Sequence, residues 1–215
     1  MKYKLAIFDL DGTILDTLED LADAVNYALG ECGYPLRTIE EVRRFVGNGI
    51  RNLIERAVPD GLTEEEINRV HQTFSAYYQE HCADKTRPYE GILPLLKRLR
   101  AAGCLTAVVS NKADVAVQPL CQQYYEGLFD YAVGEREGIR RKPAPDAVRE
   151  VLRRLRIEAG KAVYIGDSEV DIQTAANAGL ESIIVTWGFR ERAYLESQGG
   201  QRFVDRPEEI EEIIL

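Results

Sequence analysis

Cysteine and basic residues are scarce in this sequence, and each shortage excludes a class of protein. The chain has only four cysteines, with no C-x-x-C spacing: Cys32, Cys82, Cys104 and Cys121. Their apolar surroundings favour reduced, buried side chains over a zinc site or a disulfide framework. Lys and Arg number 27 against 36 Asp and Glu, which gives a formal net charge of −9. This balance argues against a broad nucleic-acid or anionic-membrane surface, so an anionic ligand needs a local cation or a metal.

Long apolar runs are missing as well. No segment approaches the length of a membrane span, and Met1 to Tyr3 lead into the first apolar run without a signal-peptide core. We therefore expect a cytoplasmic protein with no membrane partner. The 215 residues, 45% of them hydrophobic, suffice for one sizeable core and a smaller accessory unit.

Two carboxylates stand at the end of the first apolar run, Lys4-Leu-Ala-Ile-Phe-Asp9-Leu-Asp11-Gly-Thr13. The run predicts a short buried strand, and residues two apart on a strand point the same way. Asp9 and Asp11 can therefore face one ligand, while Gly12 lets the backbone turn. Two acids held together repel unless a cation lies between them, which suggests a magnesium phosphate. Taken alone, the segment could also be a turn with solvated acids.

Residues 16–87 carry only helix and loop signals. From Thr17 onward, apolar residues recur on one helical face. Thr38 with Glu41 and Thr63 with Glu66 have the spacing of a capping box, which marks the start of a helix. We predict an α-helical domain over residues 16–87, inserted after the first strand, whose two connections can act as hinges.

Residues 88–215 alternate between strand and helix patterns. Strands are predicted over 104–109, 129–133, 162–165 and 182–185, and helices over 92–102, 113–122, 144–154 and 170–178. Strands separated by crossover helices favour a parallel sheet with helices on both faces. The predicted fold is α/β, a Rossmann-like doubly wound parallel sheet. Its core is discontinuous, formed by residues 1–15 and 88–215.

Ligands of such sheets bind at the carboxyl ends of the strands, and polar residues are concentrated there. Besides the first acidic pair, the candidates are Thr13, Ser110, Asn111, Lys142, Asp167, Ser168 and Asp171. Each has a simpler interpretation: Ser110 and Asn111 could form a turn, Lys142 before Pro143 could mark a helix start, and Asp171 could cap a helix or be solvated. His71 and His81 fall in the apolar stripe of a helix predicted within residues 16–87, and they are interpreted as packing or surface residues.

The motifs D-x-D-G-T, Ser-Asn after the second core strand, K-P-x-P and G-D-x-x-x-D occur in this order. In that combination the chain resembles the haloacid dehalogenase-like hydrolase superfamily, and within it the phosphoglycolate phosphatase-like branch with a helical cap. The likeness covers nearly the whole chain. It implies a Mg²⁺-dependent phosphomonoester phosphatase that works through an aspartyl-phosphate intermediate on a small organic phosphate, with phosphoglycolate as first choice.

The resemblance also implies roles for the core residues. Asp9 would be the nucleophile and Asp11 the general acid and base, and Mg²⁺ would be held by Asp9, the Asp11 backbone carbonyl and Asp167. The phosphate-binding residues would be Thr13, Ser110, Asn111 and Lys142. Two of them, Ser110 and Lys142, would also act in catalysis. Ser168 and Asp171 would lie behind them, Asp171 orienting Lys142 or a metal-bound water.

Substrate choice is expected in the inserted domain, because the core motifs contact only the transferred phosphoryl group. The candidate loop is Gly47, Asn48 and Gly49, with Arg44 and Arg51 beside it. Either arginine could meet a second anionic group on the substrate, and either could equally be a solvated helix residue. Glu90 stands where relatives often carry a second proline, which bears on the hinge and not on catalysis.

Other functions stay open at this level. Within the same superfamily they are a phosphosugar mutase and a pyrophosphatase. Outside it, a phospho-acceptor signalling module also gathers acids, a lysine and Mg²⁺ at a sheet edge, but such modules lack an inserted helical domain. The expected partner is a small phosphorylated metabolite and no nucleic acid, with the chain either a monomer or a homodimer.

Overall fold

The computed structural model describes all 215 residues, and these form two compact units. Unit 1 comprises Met1–Leu15 and Pro88–Leu215, and unit 2 comprises Asp16–Arg87. Short strands β2 (Leu15–Asp16) and β3 (Arg87–Pro88) pair where the chain passes from one unit to the other. None of the helices combines the length and the apolar character needed to cross a bilayer.

Unit 1 is built on a six-stranded sheet whose neighbouring strands are all parallel. The strands are β1 (Leu5–Phe8), β4 (Leu105–Ala113), β5 (Tyr131–Glu135), β6 (Ala162–Gly166), β7 (Glu181–Val185) and β8 (Phe203–Val204). Their order is β5-β4-β1-β6-β7-β8. This arrangement confirms the predicted α/β, Rossmann-like fold.

The helices of unit 1 connect these strands. They are α5 (Ile92–Ala101), α6 (Asp114–Tyr125), α7 (Asp146–Leu155), a 3₁₀ turn (Ala159–Lys161), α8 (Glu169–Ala178), α9 (Arg192–Ser197) and α10 (Pro207–Ile214). The predicted helices agree with α5 to α8 within a few residues. No prediction covers β8, α9 and α10, because elements of two to eight residues carry too little periodicity.

Strand β1 lies in the middle of the sheet, and all four of its residues are buried. A parallel strand covered on both faces has no solvent side, so its sequence is a continuous apolar run without alternation. Asp9, the first residue after β1, therefore lies near the centre of the sheet edge formed by the carboxyl ends of the strands.

The predicted end of the second core strand at residue 109 is wrong. Strand β4 continues to Ala113, and its register with β5 shifts between Val109 and Ala113. A bulge of this kind inserts extra residues and re-aims their side chains. Gly134 of β5 makes room for it, because a Cβ there would overlap the Lys112 carbonyl oxygen.

Unit 2 contains four helices, α1 (Leu18–Glu31), α2 (Ile39–Phe45), α3 (Gly49–Ala57) and α4 (Glu64–His81). Both predicted capping boxes are present, at the starts of α2 and α4. Among the residues of α4, Val70, Phe74 and Tyr78 are buried. His81 is half-buried, stacks on Tyr77 and lies 2.8 Å from Asp84, as expected for a packing or surface histidine.

The cysteines are only partly as predicted. All four are free thiols, and Cys104 and Cys121 are buried. Cys32 and Cys82 are partly exposed, so the prediction of burial is wrong for them. Both lie at helix ends, Cys32 after α1 and Cys82 after α4, where packing covers less of the side chain.

Candidate active site

The carboxyl ends of three neighbouring strands bring the predicted residues together in unit 1. Asp9 follows β1, Asp167 follows β6 on one side of it, and the bulge of β4 carries Ser110 to Lys112 on the other. Strands of a parallel sheet end at the same edge, so residues that are over 150 positions apart become neighbours. The carboxylates of Asp9, Asp167 and Asp171 each place an oxygen within 4.8 Å of the others.

Lys142 lies between two of these acids. Its Nζ is 2.8 Å from Asp9 Oδ1 and 2.7 Å from Asp171 Oδ1, and it also contacts the Tyr164 hydroxyl at 3.1 Å. Tyr164 in turn donates to the Val109 carbonyl oxygen. Sequence reasoning missed Tyr164, whose only signal is a polar atom within an otherwise apolar strand.

Asn111 contacts the backbone of Lys142. Its Oδ1 accepts a hydrogen bond from the Lys142 N–H at 2.8 Å, and its Nδ2 donates to the Lys142 carbonyl at 3.1 Å. Ser110, the neighbouring candidate, is buried, and its Oγ accepts from the Lys112 N–H at 3.1 Å. Both side chains thus help to define the backbone around the lysines.

Asp171 serves both uses that the sequence allowed for it. Its Oδ1 pairs with Lys142, while its Oδ2 accepts from the Ser168 N–H at 3.1 Å and the Ser168 Oγ at 2.6 Å, at the start of α8. The side chain is fully buried. The glycine of the G-D-x-x-x-D motif is needed here, since a Cβ on Gly166 would overlap Asp171.

Asp167 is held by a loop that the sequence analysis did not consider. Its Oδ2 accepts from the Phe189 N–H at 2.7 Å, and Thr13 Oγ1 approaches its Oδ1 at 3.4 Å. A Cβ at Gly12 or Gly188 would overlap the carboxylate, so both glycines permit this close approach. The available signal is that residues 186–190 directly follow β7 and so belong to the same sheet edge.

A second lysine, Lys112, pairs with the second aspartate of the D-x-D motif. Its Nζ lies 3.0 Å from Asp11 Oδ1, and its side chain is 3% exposed. Each of the two N-terminal aspartates therefore has its own lysine, Asp9 with Lys142 and Asp11 with Lys112. The sequence does not predict this pair, because the strand predicted over 104–109 ends before Lys112.

Burial dominates the electrostatics of the acids. Loss of hydration raises the pKa of Asp9 well above its usual range, with a further rise from Asp171 that the Lys142 ammonium opposes. Burial and the Asp171 charge likewise raise the pKa of Asp167 to about 7. For Lys142, burial lowers the pKa, but Asp171 and Asp9 outweigh it and hold the pKa well above the ordinary value. Lys142 is therefore charged, but its single positive charge does not balance the carboxylates around it.

The charge count fits a divalent cation. Three buried carboxylates, Asp9, Asp167 and Asp171, face one ammonium, Lys142, so the cluster carries a formal charge of −2. Hard cations such as Mg²⁺ prefer carboxylate and carbonyl oxygens. Both oxygens of Asp171 are engaged at 2.6–3.1 Å, whereas the contact to Asp167 Oδ1 is a long one at 3.4 Å and Asp9 Oδ2 accepts no hydrogen bond. Asp9 and Asp167 are therefore the carboxylates best able to bind the ion.

The candidate substrate-selecting residues lie in unit 2. Gly47 and Asn48 immediately precede α3, Gly49 is its first residue, and Arg44 is exposed near the end of α2. Arg51 is paired within its own unit. Its Nε is 2.6 Å from Glu55, its Nη2 is 2.5 Å from Glu64, and its Nη1 donates to Asn68.

A parallel α/β sheet with clustered aspartates and a buried lysine at its carboxyl edge is the architecture of an α/β protein that can bind a phosphate group together with a cation. The haloacid dehalogenase-like hydrolase family matches residues 6–185, and the chain belongs to this family.

Known relatives agree with this family and support a phosphatase. A phosphoglycolate phosphatase of Psychrobacter arcticus is 37% identical over 200 residues, which are 88% of this chain and 86% of that protein. A phosphoglycolate phosphatase of Aquifex aeolicus is 31% identical over 208 residues, 96% of this chain and 94% of that protein.

The chain is also similar to solved structures. A provisionally named phosphoglycolate phosphatase from Lactobacillus delbrueckii subsp. bulgaricus superposes with a TM-score of 0.96 at 44% identity, over 100% of this chain and 99% of that one. CbbY from Rhodobacter sphaeroides, solved in complex with phosphate, has a TM-score of 0.74 at 26% identity, over 97% of this chain and 96% of that one.

Proposed function

We propose that the protein is a Mg²⁺-dependent phosphomonoester phosphatase whose substrate is phosphoglycolate. The reaction would proceed through an aspartyl phosphate on Asp9. The observation that carries this proposal is the formal charge of −2 on the cluster of Asp9, Asp167, Asp171 and Lys142, which one divalent ion would balance. The curated relatives named phosphoglycolate phosphatase support the choice of substrate.

The metal ligands proposed are the Asp9 and Asp167 carboxylates and the Asp11 backbone carbonyl. When bound, Mg²⁺ would supply positive charge that shields the Asp9 carboxylate from the incoming phosphate. Asp167 is well suited to this task because the Phe189 N–H and the approach of Thr13 fix its orientation. A fixed ligand loses little freedom when the ion binds.

In the first step, an Asp9 oxygen attacks phosphorus, and the bond between phosphorus and the ester oxygen breaks. Both contacts to the Asp9 carboxylate, from the Leu10 N–H and from Lys142, are made to Oδ1, which leaves Oδ2 without a hydrogen bond for the attack. The departing oxygen takes a proton from Asp11. Lys142 would offset negative charge on the phosphoryl oxygens, and Ser110 would donate a hydrogen bond to one of them.

In the second step, water attacks the phosphorus of the aspartyl phosphate. Asp11 takes the proton from this water, the bond between phosphorus and the Asp9 oxygen breaks, and inorganic phosphate and the Asp9 carboxylate are released. The two steps return both aspartates to their starting states. We propose that unit 2 is the cap domain predicted over residues 16–87.

The proposal is tested by phosphate release from phosphoglycolate, hexose phosphates, nucleotides and pyrophosphate, with Mg²⁺ and with EDTA. We expect Mg²⁺-dependent release, highest for phosphoglycolate, and no measurable turnover by Asp9→Asn. Asp205→Asn, at an exposed carboxylate, is the matched control and should keep full activity.

The same panel distinguishes the other functions. Release from no phosphomonoester would refute the proposal. Isomerised hexose phosphate without free phosphate would indicate a mutase, and pyrophosphate as the preferred substrate would indicate a pyrophosphatase. A stable phosphoprotein that does not turn over would indicate a phospho-acceptor module.

A further inference from the structure

We propose that Lys112 recognises an anionic group on the part of the substrate that leaves, so that the enzyme prefers monoesters with a carboxylate next to the ester carbon. The inference rests on the proposed function, because it takes Asp11 as the residue that protonates the ester oxygen. It assigns substrate specificity to unit 1, whereas the sequence predicts that the specificity residues lie in unit 2.

Lys112 lies next to the carboxyl group that would protonate the ester oxygen. Lys112 Nζ lies 3.0 Å from Asp11 Oδ1. If Asp11 gives its proton to the ester oxygen, that oxygen lies against the Asp11 carboxyl group. A cation in contact with the same carboxyl group is then next to the atoms attached to the ester oxygen. In phosphoglycolate the carboxylate carbon is two bonds away from this oxygen, so one ammonium group can reach both Asp11 and the substrate carboxylate.

The fold itself fixes the position of Lys112. Lys112 lies in the bulge of β4, its N–H donates to Ser110 Oγ, and Gly134 of β5 lets its carbonyl approach closely. The side chain is almost fully buried. A buried ammonium loses most of its hydration, so further carboxylate oxygens near it are favourable ligands.

The other two candidate cations, Lys142 and Arg51, are engaged elsewhere. Lys142 is held by Asp9 and Asp171, on the side of the attacking carboxylate. Arg51, the cation that the sequence suggested for a second anionic group, is bound to Glu55, Glu64 and Asn68 within unit 2. Moving Arg51 to a substrate would break these contacts, whereas Lys112 would keep Asp11 as a partner.

The test compares two substrates that differ in the carboxylate, phosphoglycolate and ethyl phosphate. The quantity measured is the ratio of their kcat/KM values, in Lys112→Gln, Lys112→Arg, Arg51→Gln and the unmodified enzyme. Loss of one partner from a buried charged contact predicts that the ratio falls about 100-fold in Lys112→Gln. Lys112→Arg keeps the charge and should restore most of the ratio, while Arg51→Gln should leave the ratio unchanged. Thermal unfolding of each variant checks that it is folded.

Three results would overturn the inference and leave the phosphatase proposal standing. The first is an equal loss of kcat/KM for both substrates in Lys112→Gln, which would mean that Lys112 only positions Asp11. The second is an unchanged ratio in both Lys112 variants, and the third is a collapse of the ratio in Arg51→Gln. An unmodified enzyme that hydrolyses neither ester would refute the proposed function and this inference together.

Discussion

Asn111 holds the backbone of Lys142 at both ends, by accepting from its N–H at 2.8 Å and donating to its carbonyl at 3.1 Å. The two residues are 31 positions apart, and the contact ties the β4 bulge to the segment before α7. Because both bonds go to the backbone, Asn111 fixes where the lysine side chain begins. Its role in phosphate binding, which the resemblance suggested, remains a prediction.

Asn111→Ala should lower kcat by about 10- to 100-fold, since losing two buried hydrogen bonds costs on the order of 1–3 kcal/mol and releases Lys142. Asn26→Ala is a matched control. Asn26 makes the same pair of bonds to the Arg37 backbone in unit 2, at 2.9 and 2.8 Å. Steady-state kinetics and urea unfolding of both variants separate the two effects. A kcat for Asn111→Ala no lower than that of Asn26→Ala would contradict the positioning role.

Gly188→Ala should weaken Mg²⁺ binding. The new Cβ would overlap the Asp167 side chain, so this carboxylate must move away from its place beside Thr13. Displacing a ligand's support typically costs 10- to 100-fold in metal affinity, and calorimetric titration with Mg²⁺ measures it directly. Gly160→Ala is the control, because a Cβ there meets nothing within 4 Å. Equal Mg²⁺ affinity in the two variants would show that Asp167 is not a ligand.

The stability of the metal-free protein should depend on pH through Asp167. Burial raises the pKa of this carboxyl to about 7 from its ordinary 3.8. The native state therefore binds more protons than the unfolded state between these values, and stability falls as pH rises from about 4 to 7. In EDTA, Asp167→Asn should be more stable than the unmodified protein at pH 8, by up to about 4 kcal/mol, and this advantage should shrink toward pH 5. Urea unfolding at several pH values measures it. An advantage independent of pH would count against the raised pKa.

The thiols should differ in reactivity. Burial raises the pKa of Cys104 to about 11 and that of Cys121 to about 12, and the thiolate is the reactive form. At pH 8 we expect iodoacetamide to modify the partly exposed Cys32 and Cys82 well before the other two. Peptide mass spectrometry over time identifies the sites. Early labelling of Cys104 would contradict its burial and raised pKa.

The lysines illustrate why part of the site could not be predicted. Lys142 stands in a recognisable motif, K-P-x-P, and the resemblance implies that Asp171 orients either Lys142 or a metal-bound water. The structure shows the contact with Lys142. Lys112 has no motif of its own, and its contact with Asp11 depends on a bulge that shifts β4 against β5. A sequence pattern with a period of two residues cannot show where that period is interrupted.

The sequence by itself determined the parallel α/β core, the helical character of residues 16–87 with its two capping boxes, and the family. These depend on local periodicity and short motifs, which act between neighbouring residues. Only the tertiary structure decided which lysine pairs with which aspartate, that Asp171 is fully engaged, and that the loop after β7 supports Asp167. Those contacts join residues up to 133 positions apart, from Asp9 to Lys142, and they depend on strand order and register, which no single segment of the chain specifies.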